Sequence, residues 1–154
     1  MKLEKLKPIL KSKKIGIAGC GGLGSNAAVA LARAGTGKLI VADFDIIEES
    51  NLNRQYFFFD QIGKYKAEAL KENIGRINPD VEVVAHIIKL TPKEIISLYK
   101  ECDIIVEAFD SAEMKEMIVE TVLSELPDKQ LVCGVGLAGW GGNDLIKVER
   151  FDNL

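Results

Sequence analysis

Apolar residues recur along the chain in two alternating patterns, short continuous runs and longer segments with a spacing of three or four. Short apolar runs bounded by glycine or polar residues are typical of strands that are buried on both faces of a parallel sheet. The longer segments place their apolar residues on one side of a helix. The pattern predicts strands over 14–18, 38–42, 81–86, 103–108, 130–135 and 144–150, and helices over 2–11, 23–34, 64–77, 92–100 and 111–126.

Strands that alternate with helices favour an α/β fold. We expect a Rossmann-like, doubly wound and mostly parallel sheet with helices on both faces, in which the last strand, 144–150, is the candidate for an antiparallel strand. The chain has 154 residues, of which 47% are hydrophobic, and it shows neither a repeat nor an interdomain linker. We therefore expect one domain that spans residues 1–154.

Charge and hydropathy narrow the range of partners. The net charge of −3 gives no broad positive field for nucleic acid or an anionic membrane. No apolar run approaches the roughly 20 residues that a membrane helix needs, and the first residues lack the apolar core of a signal peptide. We expect a cytoplasmic protein without nucleic-acid or membrane partners.

The three cysteines, Cys20, Cys102 and Cys133, are odd in number, and no two of them form a CxxC pair. This spacing is not typical of a zinc site or a disulfide framework. We expect no zinc. We interpret Cys20 as a small packed residue, the alternative being a thiol whose pKa is lowered by the start of a helix.

A glycine-rich loop follows the first predicted strand. Gly19, Gly21 and Gly24 fit G-x-G-x-x-G at a strand-to-helix turn, and Gly22 lies in the same loop. In this motif the first glycine permits the tight turn, the second lets the backbone approach phosphate, and the third lets the helix pack closely. Asp43 closes the next strand 19 residues after Gly24, where a carboxylate reaches ribose hydroxyls. The pattern predicts a nucleotide site; the alternative is a glycine turn without a ligand.

Two basic residues follow the second strand, Arg54 in the turn Asn-Leu-Asn-Arg-Gln and Lys66 at the start of a helix. Both side chains are expected in solvent near the ligand. There they could converge on a polyphosphate, Arg as a planar fork and Lys as a point charge. The alternative is a solvated surface pair. A nicotinamide site that transfers hydride does not need these cations, so we interpret the nucleotide as one that is split.

Asp110 follows the strand 103–108 at the edge of the sheet where ligands of open α/β sheets bind. A lone carboxylate that faces phosphates is a natural Mg²⁺ ligand, because Mg²⁺ keeps waters and takes few protein oxygens. The sequence therefore predicts that Asp110 is a magnesium ligand. We interpret Glu107, inside the strand, and Asp45, two residues after Asp43, as structural carboxylates.

These segments occur together in one known family. The chain combines Gly-Cys-Gly-Gly-Leu-Gly (19–24), Asp-Phe-Asp (43–45), Ser-Asn-Leu-Asn-Arg-Gln (50–55), Lys66, Arg-Ile-Asn-Pro (76–79) and Asp110. From about residue 13 to residue 150 it resembles the ThiF/MoeB-like enzymes, the bacterial relatives of ubiquitin-activating enzymes, and residues 107–115 are most similar to thiamine-pathway members. The resemblance implies an ATP-dependent adenylyltransferase that activates the C-terminal glycine of a small ubiquitin-like sulfur carrier protein and releases pyrophosphate.

The resemblance also implies a role for each matching residue. The loop around Gly21 would approach the phosphates, and Asp43 would hold the ribose. Arg54 and Lys66 would grip the triphosphate with help from Asn51. Asp110 would hold Mg²⁺. The attacking carboxylate is already ionised, so no side chain need act as a base.

Relatives act as homodimers, and the Phe57-Phe58-Phe59 run and the helix 111–126 could supply apolar surface for a two-fold dimer. The chain departs from the family pattern at Ser111 and Lys115, where many relatives have Asn and Arg. Relatives also continue beyond the position of Leu154, so we expect a short member of the family.

Two other functions remain as alternatives. The glycine loop and Asp43 alone would also support an NAD- or FAD-binding oxidoreductase. The early C-terminus would support a non-catalytic nucleotide-binding fragment.

Overall fold

The structure of the chain is a computed structural model that describes residues 3–134. Within this range five strands alternate with helices, and two short 3₁₀ turns lie between the second strand and the third helix. The strands are β1 Lys14–Ala18, β2 Lys38–Ala42, β3 Glu82–His86, β4 Ile104–Glu107 and β5 Gln130–Cys133. The helices are α1 Leu3–Lys11, α2 Gly22–Ala34, α3 Lys66–Ile77, α4 Pro92–Tyr99 and α5 Ala112–Glu125, and the 3₁₀ turns are Glu49–Asn51 and Phe59–Gln61.

The strands form one sheet in the order β3-β2-β1-β4-β5, and every neighbouring pair is parallel. The chain winds outward from β1 to β3, returns to the other side of β1 with β4, and winds outward again to β5. This arrangement confirms the predicted Rossmann-like α/β class. The direction of winding reverses between β1 and β4, which is where open sheets of this type bind ligands. The predicted strand 144–150, with its possible antiparallel direction, lies outside the described residues.

The sheet is buried on both faces, which explains the continuous apolar runs of its strands. Side chains of β2 alternate between two clusters: Leu39 and Val41 pack with α2 and α3 on one face, whereas Ile40 and Ala42 pack with α4 and α5 on the other. No helix in the described part of the chain is long and apolar enough to cross a membrane.

Predicted and observed ends agree closely, and two differences have local causes. The predicted helix start at Lys64 is wrong, because Tyr65 forms an antiparallel bridge with Ile46 and α3 begins at the next residue. Strand β4 ends at Glu107, where the carboxylate Oε1 accepts a hydrogen bond of 2.6 Å from the backbone N–H of Phe109 and turns the chain.

Candidate functional site

A cavity of about 630 Å³ lies at the carboxyl ends of the strands. The loops that follow β1, β2, β3 and β4 all contribute to its walls. Its lining includes Gly19, Gly21, Gly22, Leu23, Asp43, Phe44, Asp45, Arg54, Gln55, Lys66, Ile88, Lys89, Leu90, Phe109, Asp110, Ser111, Glu113, Met114 and Lys115. Of the residues predicted from the sequence, the structure brings seven to this cavity and leaves Gly24 and Asn51 outside its lining.

The glycine loop forms the floor of the cavity, and its glycines have different reasons to lack a side chain. Gly19 has a φ of 97°, and a Cβ there would lie 2.9 Å from the carbonyl oxygen of Ala108. A Cβ at Gly24 would overlap the carbonyl oxygen of Gly19, so this glycine permits the close packing of α2. At Gly21 the nearest atom would be 3.9 Å away. The backbone at Gly21 is therefore open to the cavity, as the motif predicts for phosphate approach.

Asp43 joins the glycine loop to the segment after β2. Its Oδ2 accepts a hydrogen bond of 2.6 Å from the N–H of Cys20, and its Oδ1 accepts one of 2.8 Å from the N–H of Asp45. Burial nevertheless raises the pKa of the Asp43 carboxyl above its ordinary value, because it removes water from the charged form. Asp43 thus lies on the cavity, where the sequence predicts a ribose contact, and it also holds the loop in place.

Cys20 is completely buried, and this burial raises the pKa of its thiol well above the ordinary value. Desolvation therefore outweighs any stabilisation of a thiolate by the start of α2. The structure supports the interpretation of Cys20 as a packed residue.

Lys66 is the first residue of α3, and its position corrects one prediction. Its side chain is not in solvent but only 9% exposed, and its Nζ lies 2.9 Å from Oδ2 of Asp45. The backbone N–H of Lys66 also donates to the carbonyl oxygen of Asp45. These contacts hold the ammonium group beside Asp45 in the wall of the cavity. Asp45 is therefore structural, as predicted, in the sense that it orients Lys66.

Arg54 is exposed at the rim of the cavity. Its Nη1 donates to the carbonyl oxygen of Ser50 at 3.0 Å and to Oδ1 of Asn53 at 2.8 Å. Asn51, by contrast, is buried, and its Oδ1 accepts a hydrogen bond from the N–H of Glu48. Its amide closes the 3₁₀ turn, so its predicted part in phosphate positioning stays a prediction.

The opposite wall of the cavity carries Asp110 on the short segment between β4 and α5. An ion pair brackets this segment: Nζ of Lys115 lies 2.9 and 2.8 Å from the two carboxylate oxygens of Glu107. The same ammonium group donates to the carbonyl oxygen of Gly134 at 3.0 Å. Glu107 is structural, as predicted, and Lys115 is its partner, which the sequence pattern marked only as a departure from the family.

Asp110 is exposed and lines the cavity. Glu113, in the first turn of α5, is also exposed and lines the same cavity. Among the described residues, no group of three or more His, Cys, Asp or Glu side chains could hold a metal ion. This arrangement fits Mg²⁺, which binds through one or two carboxylates together with substrate phosphates and water. It does not resemble a cage formed by protein ligands alone.

Several residues that line the cavity were not predicted as site residues, among them Phe44, Gln55 and Lys89. Phe44 and Lys89 form one side of the mouth, with Nζ of Lys89 6.0 Å from the centre of the Phe44 ring. Gln55 is 9% exposed, and its Oε1 has no hydrogen-bond partner among the described residues. Gln55 follows Arg54 directly in the sequence, but nothing in the one-dimensional pattern shows the direction of its side chain.

Comparison with known proteins identifies this arrangement. The model of the ThiF family matches residues 2–147. The chain belongs to the ThiF family. The predicted family is therefore confirmed, and the loops that carry the glycine motif, Arg54, Lys66 and Asp110 all lie within the matched segment.

Curated relatives of this ThiF-family chain include two named for the same pair of activities. The adenylyltransferase and sulfurtransferase UBA4 of Yarrowia lipolytica is 36% identical over 119 residues, which are 77% of this chain and 30% of the relative. The probable adenylyltransferase/sulfurtransferase MoeZ of Mycobacterium tuberculosis is 34% identical over 126 residues, or 81% of this chain and 32% of the relative. The chain thus spans about a third of the length of these relatives.

Solved structures show the same fold. The Escherichia coli tRNA N6-threonylcarbamoyladenosine dehydratase TcdA, in complex with ATP, matches with a TM-score of 0.79 and 31% identity, covering 92% of this chain and 58% of TcdA. The E. coli MccB structure with MccA-N7isoASN matches with a TM-score of 0.75 and 28% identity, covering 83% and 38% of the two chains.

Proposed function

We propose that this chain is the nucleotide-binding part of an ATP-dependent adenylyltransferase. Its substrate would be the C-terminal glycine carboxylate of a small ubiquitin-like sulfur carrier protein. A single arrangement supports this activity most directly: the open glycine loop, the cations Arg54 and Lys66 and the carboxylate of Asp110 all line one cavity. The names of UBA4 and MoeZ as adenylyltransferases and the ATP complex of TcdA support the same activity.

In the proposed reaction, a carboxylate oxygen of the carrier forms a bond to the α-phosphorus of ATP. The bond from that phosphorus to the oxygen of the β-phosphate breaks, and pyrophosphate leaves. The carboxylate enters ionised, so the protein needs to position the reactants and neutralise charge rather than remove a proton.

The described residues could supply that positioning. The open backbone at Gly21 and the start of α2 would hold phosphate oxygens, since free N–H groups and the helix dipole favour an anion there. Lys66, oriented by Asp45, and Arg54, at the rim, would neutralise the triphosphate. Asp43 would accept hydrogen bonds from ribose hydroxyls.

Magnesium would bind at Asp110, on the wall opposite the two cations. When bound, the ion would neutralise part of the negative charge of the phosphates. The ion pair between Glu107 and Lys115 would keep the Asp110 segment in place.

The sulfur carrier is proposed over a nucleic acid on the basis of charge. TcdA is named for a tRNA substrate. This chain has a net charge of −3 and thus no broad positive field to attract a nucleic acid. A carrier protein with a flexible C-terminus would need only to reach the cavity. Membership of the thiamine pathway and a cytoplasmic location remain predictions.

A two-fold dimer is proposed as the functional assembly. Phe58, Phe59 and Leu123 are 45%, 72% and 41% exposed, which supports an apolar contact surface. Light scattering at micromolar concentration should give about twice the chain mass of 16.9 kDa. A single species at the mass of one chain would reject the dimer.

The nucleotide preference can be tested by thermal unfolding with ATP·Mg²⁺ and, separately, with NAD⁺. A ligand present at 100 times its dissociation constant stabilises the folded state by about 2.7 kcal/mol. We expect this shift with ATP and a smaller one with NAD⁺. Equal or greater stabilisation by NAD⁺ would favour the oxidoreductase alternative instead.

Adenylation itself can be tested by exchange of labelled pyrophosphate into ATP, with and without an added sulfur carrier. Exchange that depends on the carrier supports the proposed activity. Binding of ATP without exchange would instead support the non-catalytic alternative.

A further inference from the structure

Two buried glutamines lie in the segment that connects β2 to α3, and their surroundings differ. Gln61 is 1% exposed, and both its Nε2 and its Oε1 are hydrogen-bonded. Its Nε2 donates to Oδ1 of Asn73 at 2.8 Å, and its Oε1 accepts from Nδ2 of Asn73 and from the N–H of Phe58. The contacts of Gln61 account for its burial, because they tie the segment to α3.

Gln55 is also buried, at 9% exposed, but its carboxamide has no such contacts. Its Oε1 is shielded from solvent and lacks a hydrogen-bond partner among the described residues. The side chain lines the cavity, and its Nε2 would be the nearest atom, at 3.9 Å, to a Cβ placed on Gly21. The carboxamide thus lies beside the open part of the glycine loop.

The backbone of Gln55 is held in place by two hydrogen bonds. The N–H of Gln55 donates to the carbonyl oxygen of Asn51 at 3.0 Å, and its carbonyl oxygen accepts from the N–H of Phe57 at 2.9 Å. Both backbone groups are therefore used within the segment. The Cα of Gln55 is therefore held at the wall of the cavity.

The amide nitrogen is the part of this carboxamide that lies toward Gly21, and an N–H donor there gains a hydrogen bond when it meets an acceptor on a ligand. A phosphate group at Gly21 would offer only acceptor oxygens, which match the Nε2 donors of Gln55. A neutral donor between the loop and Arg54 would add a directional contact without adding charge.

We propose that Gln55 is a nucleotide-binding residue whose Nε2 donates to an oxygen of the phosphate group held at Gly21. This inference rests on the nucleotide-binding part of the proposed function and adds a contact to that site. It does not depend on the identity of the carrier protein.

The test replaces each glutamine by methionine, which has a similar size and no hydrogen-bonding amide, and also makes Gln55→Glu. Calorimetry would measure the affinity for ATP·Mg²⁺, and urea unfolding without ligand would measure stability. Gln55→Met should weaken ATP binding about tenfold and leave stability unchanged or higher, because it removes an unsatisfied amide. Gln55→Glu should weaken ATP binding further, since it places an anion beside the phosphate.

Gln61→Met is the matched control, because it should lower stability and leave the ATP affinity of the folded protein unchanged. Displacement of ATP by inorganic tripolyphosphate provides the second readout. If Gln55 contacts a phosphate, Gln55→Met should weaken the affinity for tripolyphosphate by a factor similar to that for ATP.

Unchanged ATP affinity in Gln55→Met would overturn the assignment, as would a loss for ATP without a loss for tripolyphosphate. Loss of stability alone in this variant would assign Gln55 a structural role like that of Gln61. If wild-type protein failed to bind ATP, the nucleotide site itself would fail, and the inference would fail with it. If Gln55→Met weakened ATP binding in a protein that shows no pyrophosphate exchange, the inference would stand without the proposed activity.

Discussion

The two edges of the sheet use charged residues in opposite ways. At the amino ends of the strands, Nζ of Lys38 lies 2.6 Å from Oε1 of Glu82, and Nζ of Lys13 lies 3.3 Å from Oδ1 of Asp103. These pairs are at the surface, and each charge remains partly solvated. Pairs of this kind contribute at most about 1 kcal/mol to stability.

At the carboxyl ends, each ion pair contains one side chain that is almost completely buried. Lys66 is buried against Asp45, and Glu107, at 1% exposed, is buried against Lys115. Buried charges lose hydration, so such pairs are weak evidence of a gain in stability. They are better explained by the cavity that they surround. Burial of charge, rather than the number of charged pairs, distinguishes the candidate site from the opposite edge of the sheet.

Removing the basic partner should therefore have a much larger effect at the carboxyl edge. Lys115→Met should lower the free energy of unfolding by about 3 kcal/mol, because it leaves the Glu107 carboxylate buried and unpaired. Lys38→Met should change it by less than about 1 kcal/mol. Urea unfolding at neutral pH measures both. Equal losses in the two variants would remove the distinction between the edges.

The double variant Glu107→Gln/Lys115→Met sharpens this test. It removes the unpaired charge, so it should recover part of the stability that Lys115→Met loses. A double variant that is no more stable than Lys115→Met would assign the loss to packing.

The glycine loop gives the next largest expected effect. Gly24→Ala should lower the free energy of unfolding by about 2 kcal/mol and impair ATP binding, because its Cβ would overlap the backbone of Gly19. Gly75→Ala in α3 is the control: no atom lies within 4 Å of its Cβ, and alanine should stabilise the helix by about 0.5–1 kcal/mol. Wild-type stability and ATP affinity in Gly24→Ala would contradict the close packing of the loop.

The cations of the two edges should differ in their effect on the nucleotide. Arg54→Ala and Lys66→Ala should each weaken ATP binding by at least about tenfold, or about 1.4 kcal/mol, because each removes a charge that faces the cavity. Lys13→Ala, at the other edge, should leave the affinity unchanged. Calorimetric titration with ATP·Mg²⁺ compares the three variants.

Asp110→Asn tests the proposed Mg²⁺ ligand. This variant should lose the activity of pyrophosphate exchange together with its dependence on Mg²⁺. If Arg54→Ala, Lys66→Ala and Asp110→Asn all kept wild-type exchange, the assignment of these residues to the site would be wrong.

The smallest expected effect is a difference in pH dependence between the edges. The backbone N–H of Lys14 and then the Lys13 side chain lower the pKa of Asp103. Its charged form therefore adds stability above its unfolded pKa, and this contribution is lost as the pH falls through the folded pKa. Burial raises the pKa of Asp43, so acid favours its folded form: stability is gained as the pH falls through the folded pKa of Asp43.

Urea unfolding of wild type, Asp103→Asn and Asp43→Asn between neutral pH and about pH 3 measures these contributions. On acidification, wild type should lose stability relative to Asp103→Asn by less than about 1 kcal/mol, because Asp103 is partly solvated. Relative to Asp43→Asn, wild type should gain stability over the same range of pH. If the stability difference from wild type changed with pH in the same direction for both variants, the opposite pKa shifts assigned to Asp103 and Asp43 would be wrong.

Much of the fold and part of the site could be predicted from the sequence, because these features are local. The apolar runs and helical spacings mark the strands and helices, and parallel strands bring all their carboxyl ends to one edge. Residues just after a strand, such as Gly19, Asp43 and Asp110, therefore meet at the cavity whatever the details of packing.

The direction and burial of individual side chains required the tertiary structure. Asn51 and Gln55 lie four residues apart in one polar segment, yet Asn51 closes a turn and Gln55 lines the cavity. The charge of Lys66 leads one to expect its side chain in solvent. In the structure this side chain is buried, and its ammonium group pairs with the Asp45 carboxylate. The direction and burial of these side chains depend on contacts between segments that are distant in sequence. The apolar spacing that predicts helices and strands carries no information about such contacts.

The amino-acid sequence by itself thus determined the family, the alternation of strands and helices, and the edge of the sheet at which the chemistry lies. The tertiary structure alone decided which polar groups are buried, which of them pair with each other, and which remain available to a ligand. The physical reason is that secondary structure follows from local backbone preference and apolar spacing. The environment of a charge or an amide depends instead on every segment that packs around it.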